Sequence, residues 1–441
     1  MGSPGTPRTD NQAGRKGFRR HLMGKRTKER MMHAVKNVLI ASVVAGLFCA
    51  GAVCAQCPTG DINHDCTVDV ADLELFARLW LADPNETSGD FNADQQTNGA
   101  DLALLANHWR RTGCPIVINE ILAHSHDVAP DWIELRNVSS LPADISGWQL
   151  SDDKNELDKH VIADGTIVGP FGYIVFYEHL HFGNPSHPGT RAPFALSENG
   201  ETLYLTPPAD SLFGNCPMTQ AFGASATANS FGRYMKSDRT YVFVTQSWST
   251  PGLANADPLV GPVVINEIMY HPAVDGDAEY VELLNISLGF VTLFDYVAME
   301  PWRFVDESGI DFRFPADVPV TLWPFQHILL ARDADAVRRS GVPATAQVFE
   351  WSSGRLANRG EKIRLLKPGD VDDAGTRYWI EVDRVEYSDG SRDDDFPQHI
   401  DPWPAEADGL GPSLNRIFPS RYGDDPNNWH ATIPTPGSTN D

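Results

Sequence analysis

The chain is short of positive charge, cysteine and helical periodicity. It holds 35 Lys and Arg against 59 Asp and Glu, a net charge of −24 over 441 residues. Such a surface repels phosphate backbones, which argues against nucleic acid as a partner, and it supports solubility. Catalytic signatures are missing too: there is no His-Glu-x-x-His, no Gly-x-Ser-x-Gly and no phosphate-cradling glycine loop. A hydrolase would have to assemble its carboxylates from distant positions. The expectation is a non-catalytic protein, with no catalytic residues assigned. Six cysteines are too few for a disulfide scaffold of this length.

Only one long apolar run is present. Val38 to Ala55 is apolar and rich in small residues, and it follows a short positive stretch from Met31 to Lys36. Val53-Cys54-Ala55 fits a signal-peptide cleavage site, leaving Gln56 as the first mature residue. The expected location is therefore extracellular or at the cell surface, with no membrane span after cleavage. The run also nears the length of a membrane span, so a retained anchor is the alternative. Cys49 follows Phe48 and Cys54 follows Val53, whereas a lipid-attachment box wants a small residue there. The basic residues 1–30 precede plausible starts at Met31 or Met32 and read as a long n-region or an upstream start. Four cysteines remain beyond this segment, Cys57, Cys66, Cys114 and Cys216, which admit three full pairings. Cys57–Cys66, flanking one tight loop, is favoured over Cys57–Cys114.

What is present is a duplication. Asp61-Ile62-Asn63-His64-Asp65 opens a loop that ends at Asp69 and Asp72. Asp90-Phe91-Asn92-Ala93-Asp94 opens a second that ends at Asn98 and Asp101, 29 residues later. Both place oxygen side chains at loop positions 1, 3, 5, 9 and 12. That spacing wraps a hard cation such as calcium, which takes six to eight oxygens. The apolar stripe after each loop repeats in register. Leu73, Phe76 and Trp80 lie on one helical face and return as Leu102, Leu105 and Trp109. A unit of about 60 residues sits near the lower limit for independent folding, so bound metal should contribute much of its stability. The competing reading is two Asp/Asn-rich turns that only cap helices.

This pair resembles a dockerin, the module that plugs proteins into cohesin-bearing scaffolds; the resemblance covers residues 57–113. It implies two Ca2+ ions and a protein partner of the cohesin kind. The implied ligands are Asp61, Asn63, Asp65, Asp69 and Asp72 with the Thr67 carbonyl. In the second loop they are Asp90, Asn92, Asp94, Asn98 and Asp101 with the Gln96 carbonyl. Two departures stand out. Position 6, where glycine eases the turn, is Cys66 and Gln95. Positions 10 and 11, often Ser or Thr in dockerins, are Val70-Ala71 and Gly99-Ala100.

After Cys114 the texture changes to short alternating runs between Gly, Pro, Asp and Asn clusters, which predicts an all-β sandwich or barrel. Runs include Ile116–Ile121, Trp132–Arg136, Tyr173–Tyr177, Thr202–Leu205 and Tyr241–Thr245. The second set is Val263–Met269, Tyr280–Leu284, His327–Ala331, Lys362–Leu366 and Trp379–Val385. An internal repeat divides them. Val117-Ile118-Asn119-Glu120-Ile121 returns as Val264-Ile265-Asn266-Glu267-Ile268. Trp132-Ile133-Glu134-Leu135-Arg136-Asn137 returns as Tyr280-Val281-Glu282-Leu283-Leu284-Asn285. Thr250-Pro251-Gly252 returns as Thr435-Pro436-Gly437. This order of motifs, with Gly147-Trp148-Gln149-Leu150 as the third, resembles the lamin-tail domain, an immunoglobulin-like β-sandwich. In the second copy Trp302-Arg303-Phe304 is the candidate for the third motif, and extra residues imply long loops.

The expected fold is thus mainly β: two lamin-tail-like, immunoglobulin-like sandwiches plus a small helical dockerin-like unit. The expected boundaries are a leader at 1–55, the loop pair at 56–115 and sandwiches at 116–256 and 257–441. Glu120, Glu134, Glu267 and Glu282 are expected to bond within the fold. His124/His126 and His179/His181, with His160 or His187, are weak metal candidates that read better as solvated loop histidines. The acid runs Asp393-Asp394-Asp395 and Asp424-Asp425 read as solvated turns. Six tryptophans fall in the second β domain; Trp403, in a Pro-rich loop, could serve as a stacking platform, but packing in the core or the loop is the favoured reading. The function expected is calcium-dependent docking. The alternatives are a glycan-binding accessory of polysaccharide breakdown and an unrecognised extracellular hydrolase.

Overall fold

The computed structural model describes residues 57–82, 89–92, 95–126, 129–211, 213–214, 216–372, 374–396 and 400–440. The leader segment and Asp94 lie outside the described residues. The chain forms two compact units, Met1–Gly113 and Cys114–Asp441. Among the described residues no helix is long and apolar enough to cross a membrane.

In the first unit each loop runs into a helix, Val70–Ala82 and Gly99–Asn107. Asn98 caps the second, accepting the Ala100 N–H, while Asp101 reaches back to the Asn98 N–H. The two apolar stripes meet: Val68, Phe76 and Leu105 are buried, with Leu73, Trp80, Leu102 and Trp109 packed against them. Three buried side chains, at roughly 1.5–3 kcal/mol each, make a thin core for a unit of this size. The end of the unit is tied to the first loop by backbone. Val68 and Arg110–Arg111 exchange N–H···O bonds of 3.0 and 2.8 Å, and Gly113 donates to the Cys66 carbonyl at 2.8 Å. The Cys57–Cys66 disulfide braces that loop.

The second unit holds two sandwiches. In the first, one sheet runs Tyr241–Thr245, Phe231–Met235, Ile116–Leu122, Trp132–Asn137 and Tyr173–Tyr177, all antiparallel. The facing sheet runs His160–Val161, Gln149–Ser151, Glu201–Thr206 and Met218–Phe222. The Ile118 N–H points at the Met218 sulfur at 3.2 Å, which marks where the sheets face each other. The Cys114–Cys216 disulfide links the start of the first sheet to the approach of the Met218 strand.

The second sandwich repeats the plan. One sheet runs Gln347–Glu350, His327–Ala331, Tyr280–Asn285, Val263–Met269, Ser413–Arg416 and Trp429–Thr432. The other runs Asp311–Arg313, Arg303–Val305, Lys362–Val371 and Arg377–Glu386. Val263, Ile265, Val281, Leu283, Phe304, Ile363, Leu365 and Val385 from both sheets share one core. Trp302-Arg303-Phe304 does occupy the place of Trp148-Gln149-Leu150. Phe304 pairs with Leu365 as Leu150 pairs with Leu205. The added residues were expected as long loops. They instead include a helix, Ala334–Arg339, and an edge strand, Gln347–Glu350, lying parallel to His327–Ala331. Such a parallel pair needs a crossover, and the helix supplies it.

Candidate metal-binding loops and the polar clusters of the sandwiches

The two loops share one hydrogen-bond pattern. Asp72 accepts N–H groups of Ile62 (2.7 Å), Asn63 (3.2 Å) and Asp69 (2.9 Å). Asp101 accepts those of Phe91 (2.7 Å), Asn92 (3.3 Å) and Asn98 (2.8 Å). At position 1, Asp61 accepts the Cys66 N–H and Asp90 the Gln95 N–H, both at 2.9 Å. Position 6 lacks glycine, yet Cys66 and Gln95 take the left-handed conformation, with φ of 65° and 66°. The loop is therefore made without the residue that would make it cheapest. In loop one the Asp65 N–H goes to Asn63 at 2.9 Å and the Thr67 N–H to Asp65 at 2.9 Å, and Asp69 caps Ala71 at 2.7 Å. Asn92 and Gln96 lie in the corresponding stretch of loop two.

The donors are all oxygen, the set a hard cation selects. Asp61, Asp72, Asp90 and Asp101 are buried. Burial, with Asp72 and Asp65 adding negative charge, pushes the Asp61 carboxyl up to about 6, despite the Cys66 N–H. Carboxylates crowded this way fit a calcium ion, whose charge would relieve the crowding. Positions 10 and 11 open the helices and face outward: Val70 is 69 % exposed, and Ala71, Gly99 and Ala100 are exposed too.

The repeated glutamates form the seams of the sandwiches. The registers of the first two strands shift between Ile118 and Glu120 and between Ile265 and Glu267. The bulge turns Asn119 and Glu120 both into bonding positions. Glu120 accepts the Thr250 N–H at 2.8 Å and its hydroxyl at 2.7 Å. Glu134 accepts the Asn119 amide at 2.7 Å and the Gly252 N–H at 2.5 Å. In the second copy Glu267 accepts the Thr435 N–H at 3.0 Å, and Glu282 accepts the Asn266 amide at 2.9 Å and the Gly437 N–H at 2.6 Å. The opening strand, the second strand and the Thr-Pro-Gly segment are thus one network. Burial, the largest cause, pushes Glu134 and Glu267 up to about 7 against these bonds.

Several sequence readings are corrected. His160 is not solvated: it lies on a strand, 1 % exposed, with His187 and His181 at ring distances of 5.2 and 6.5 Å. Burial, then the charges of those two histidines, lowers it to about 4. His179 lies apart, against Tyr177. The Nδ1 atoms are engaged by Thr190, the Tyr177 N–H and the Gly189 N–H. Among the described residues these rings do not bring ligand atoms together as a metal site; His124, Glu198 and Asp370 do, within 4.8 Å. Sequence reasoning missed that group, since its members are far apart in the chain. Both ring nitrogens of His124 already meet Ser225 and Thr227, at 2.9 and 3.0 Å, and His126 is exposed. Asp424 is no solvated turn: buried, it holds Arg384 at 2.8 Å and the Glu386 N–H at 2.7 Å. The tryptophans instead follow the favoured reading of core packing: Trp403, 4 % exposed, belongs to the core, as do Trp302, Trp351 and Trp429. Trp323, 63 % exposed, is the surface tryptophan of the second sandwich.

Comparison with known proteins agrees with this geometry. Residues 59–110 match the Dockerin type I domain family, and residues 110–213 match the Lamin Tail Domain family. These are non-catalytic interaction domains, and Dockerin type I domains generally bind calcium. No curated protein matches the chain. Among solved structures, one similar chain is a DUF4876 family protein from Bacteroides thetaiotaomicron VPI-5482. It is 11 % identical over 52 % of this chain and 84 % of its own, with a TM-score of 0.25, too distant to bear on function. The architecture is mainly β and comprises immunoglobulin-like sandwiches and a dockerin-like helical unit.

Proposed function

We propose that this is an exported, non-catalytic interaction protein. Its loop pair folds around two calcium ions to present a docking surface, and its two sandwiches, 116–256 and 257–441, bind or space. The ligands are the six from each loop, with Asp94 completing loop two. The observation that carries this reading is the shared pattern at position 12. Asp72 and Asp101 each gather three N–H groups from positions 2, 3 and 9 of their own loop. A helix cap alone needs one of those bonds, whereas a wrapped cation needs the whole loop drawn in.

The docking face would be small and apolar, because positions 10 and 11 expose Val70-Ala71 and Gly99-Ala100 without hydroxyls. That favours a cohesin-like partner whose reading surface differs from one that reads Ser or Thr. Calcium titration of the chain lacking residues 1–55 tests the proposal. Two bound ions and a gain of helical dichroism are expected. Absence of binding at about millimolar calcium, the weak end for such loops, would overturn it. Surface plasmon resonance against cohesin modules, with and without chelator, then tests the partner class.

A further inference from the structure

Within the second unit the two sandwiches meet along a seam, and three groups far apart in the chain converge there. One ligand atom each from His124, Glu198 and Asp370 lies within 4.8 Å of the other two. His124 and Glu198 belong to the first sandwich. Asp370, on the Lys362–Val371 strand, belongs to the second. We propose that this cluster binds one divalent transition-metal ion of the zinc class, which clasps the two sandwiches together.

The histidine is presented as a ligand. Its Nδ1 lies 2.9 Å from the Ser225 carbonyl, which can only accept, so Nδ1 carries the proton. The neutral ring then keeps its lone pair on Nε2, the atom 3.5 Å from Glu198 Oε2. Metal-bound histidines are oriented in this way, by an acceptor on the other ring nitrogen. The Ser225 N–H in turn donates to the Glu198 carbonyl at 3.2 Å, and the Ala228 N–H to the His124 carbonyl at 2.7 Å. Three loops of the first sandwich thus fix both ligands on one platform.

Asp370 reaches that platform because its strand is irregular. The pairing of Lys362–Val371 with Arg377–Glu386 shifts register between Pro368 and Val371, and a bulge re-aims the side chains within it. Arg377 Nη1 donates to the Gly369 carbonyl at 2.7 Å, which holds the bulge in shape. Ile380, on the partner strand, forms a bridge with Ala224. The hairpin therefore lies against the loop whose Ser225 orients His124.

Charge and donor type select the ion. Among the described residues neither Glu198 nor Asp370 is paired with a lysine or arginine. Like charges this close oppose each other's ionisation, and a divalent ion between them removes the conflict. Calcium and magnesium take oxygen ligands, whereas an imidazole beside carboxylates suits zinc. Zinc bonds of roughly 2.0–2.2 Å set tetrahedral ligand atoms roughly 3.3–3.6 Å apart, a spacing that Nε2 and Oε2 already have. The Thr227 hydroxyl, 3.0 Å from Nε2, is at an exposed position and can turn to water when the ion binds. Three protein ligands leave the fourth place to a water.

Calorimetric titration of the calcium-loaded chain with zinc chloride tests the assignment, with calcium kept in excess. One zinc ion is expected at micromolar affinity or tighter, together with a raised thermal midpoint. His124→Ala and Asp370→Asn should each weaken that binding at least about tenfold. Asp370→Asn removes only a charge at an exposed position, so its midpoint without zinc should match that of the parent chain. Zinc should slow hydrogen exchange at residues 224–228 and 369–371 together, as a clasp between the sandwiches requires. No zinc binding at about 100 µM, binding that both variants leave unchanged, or protection of only one of the two segments would each overturn it.

Discussion

Glu134 accepts the backbone N–H of Gly252 at 2.5 Å, joining residues 118 positions apart. The bond closes the first sandwich by fastening its last segment to its second strand. Glu282 does the same with Gly437 in the second copy, at 2.6 Å. The glycine can come this close because it takes a positive φ, 81° in both copies. Replacing Glu134 with Ala should strand the Gly252 N–H and destabilise the protein by about 2 kcal/mol. Urea unfolding followed by near-ultraviolet dichroism measures this, and a loss below about 0.5 kcal/mol, the level of an ordinary surface substitution, would show the bond to be incidental.

The buried glutamates set a pH dependence. Glu134, Glu201 and Glu267 are pushed up to about 7, chiefly by burial. A carboxyl raised in the folded state binds its proton more tightly there than in the unfolded chain. Its stabilisation is complete below about 4.5 and is lost as pH rises through about 7. The thermal midpoint of the calcium-loaded protein is therefore expected to be lower at pH 8 than at pH 6.5. A flat profile across that window would show that the three carboxyls ionise without penalty.

His160 works in the opposite direction at lower pH. Its folded value is depressed to about 4 by burial and by His187 and His181. Stability from keeping it neutral is present above about 6.5 and is lost as pH falls through 4. Imidazole carbon shifts measured by NMR should show His160 still neutral at pH 5. A His160 midpoint near 6.5 would contradict the burial seen here.

In the loop unit, Asp72→Ala should remove one of the two proposed calcium ions and leave the Ile62, Asn63 and Asp69 N–H groups without their shared acceptor. Calorimetric stoichiometry should fall from about two to about one, as one loop of the pair is lost, with reduced helical dichroism. Unchanged stoichiometry would mean that the position 12 side chain is only a cap.

The Cys114–Cys216 bridge closes a span of 102 residues. A loop of that length is worth up to roughly 4.7 kcal/mol in the chain-entropy account, and less where the unfolded chain retains structure. Cys114→Ser with Cys216→Ser should lower the urea midpoint without changing the strand content read by far-ultraviolet dichroism. Loss of strand signal in native buffer would show that the bridge is needed for folding itself.

Much of the fold was written in local patterns. Tyr173–Tyr177, Tyr241–Thr245, Val263–Met269 and His327–Ala331 begin and end where alternation and turn residues predict. The paired loops and their stripes were legible because calcium spacing and helical periodicity are short-range properties, and duplication made both explicit. Tertiary structure alone decided which polar residues go inside. Asp424 reads as part of an acidic turn, yet Arg384 and the Glu386 N–H draw it into the interior. His160 reads as a loop histidine, and its burial depends on Thr190 and His181 lying thirty and twenty-one residues away. Trp403 sits in a Pro-rich loop, and its burial follows from Trp429 beside it. The seam between the sandwiches, with Tyr234 facing Tyr422, joins residues 188 positions apart. Periodicity reports how one segment divides between core and solvent. It carries no information about which distant segment will supply the partner, and burial of a polar group depends on that partner.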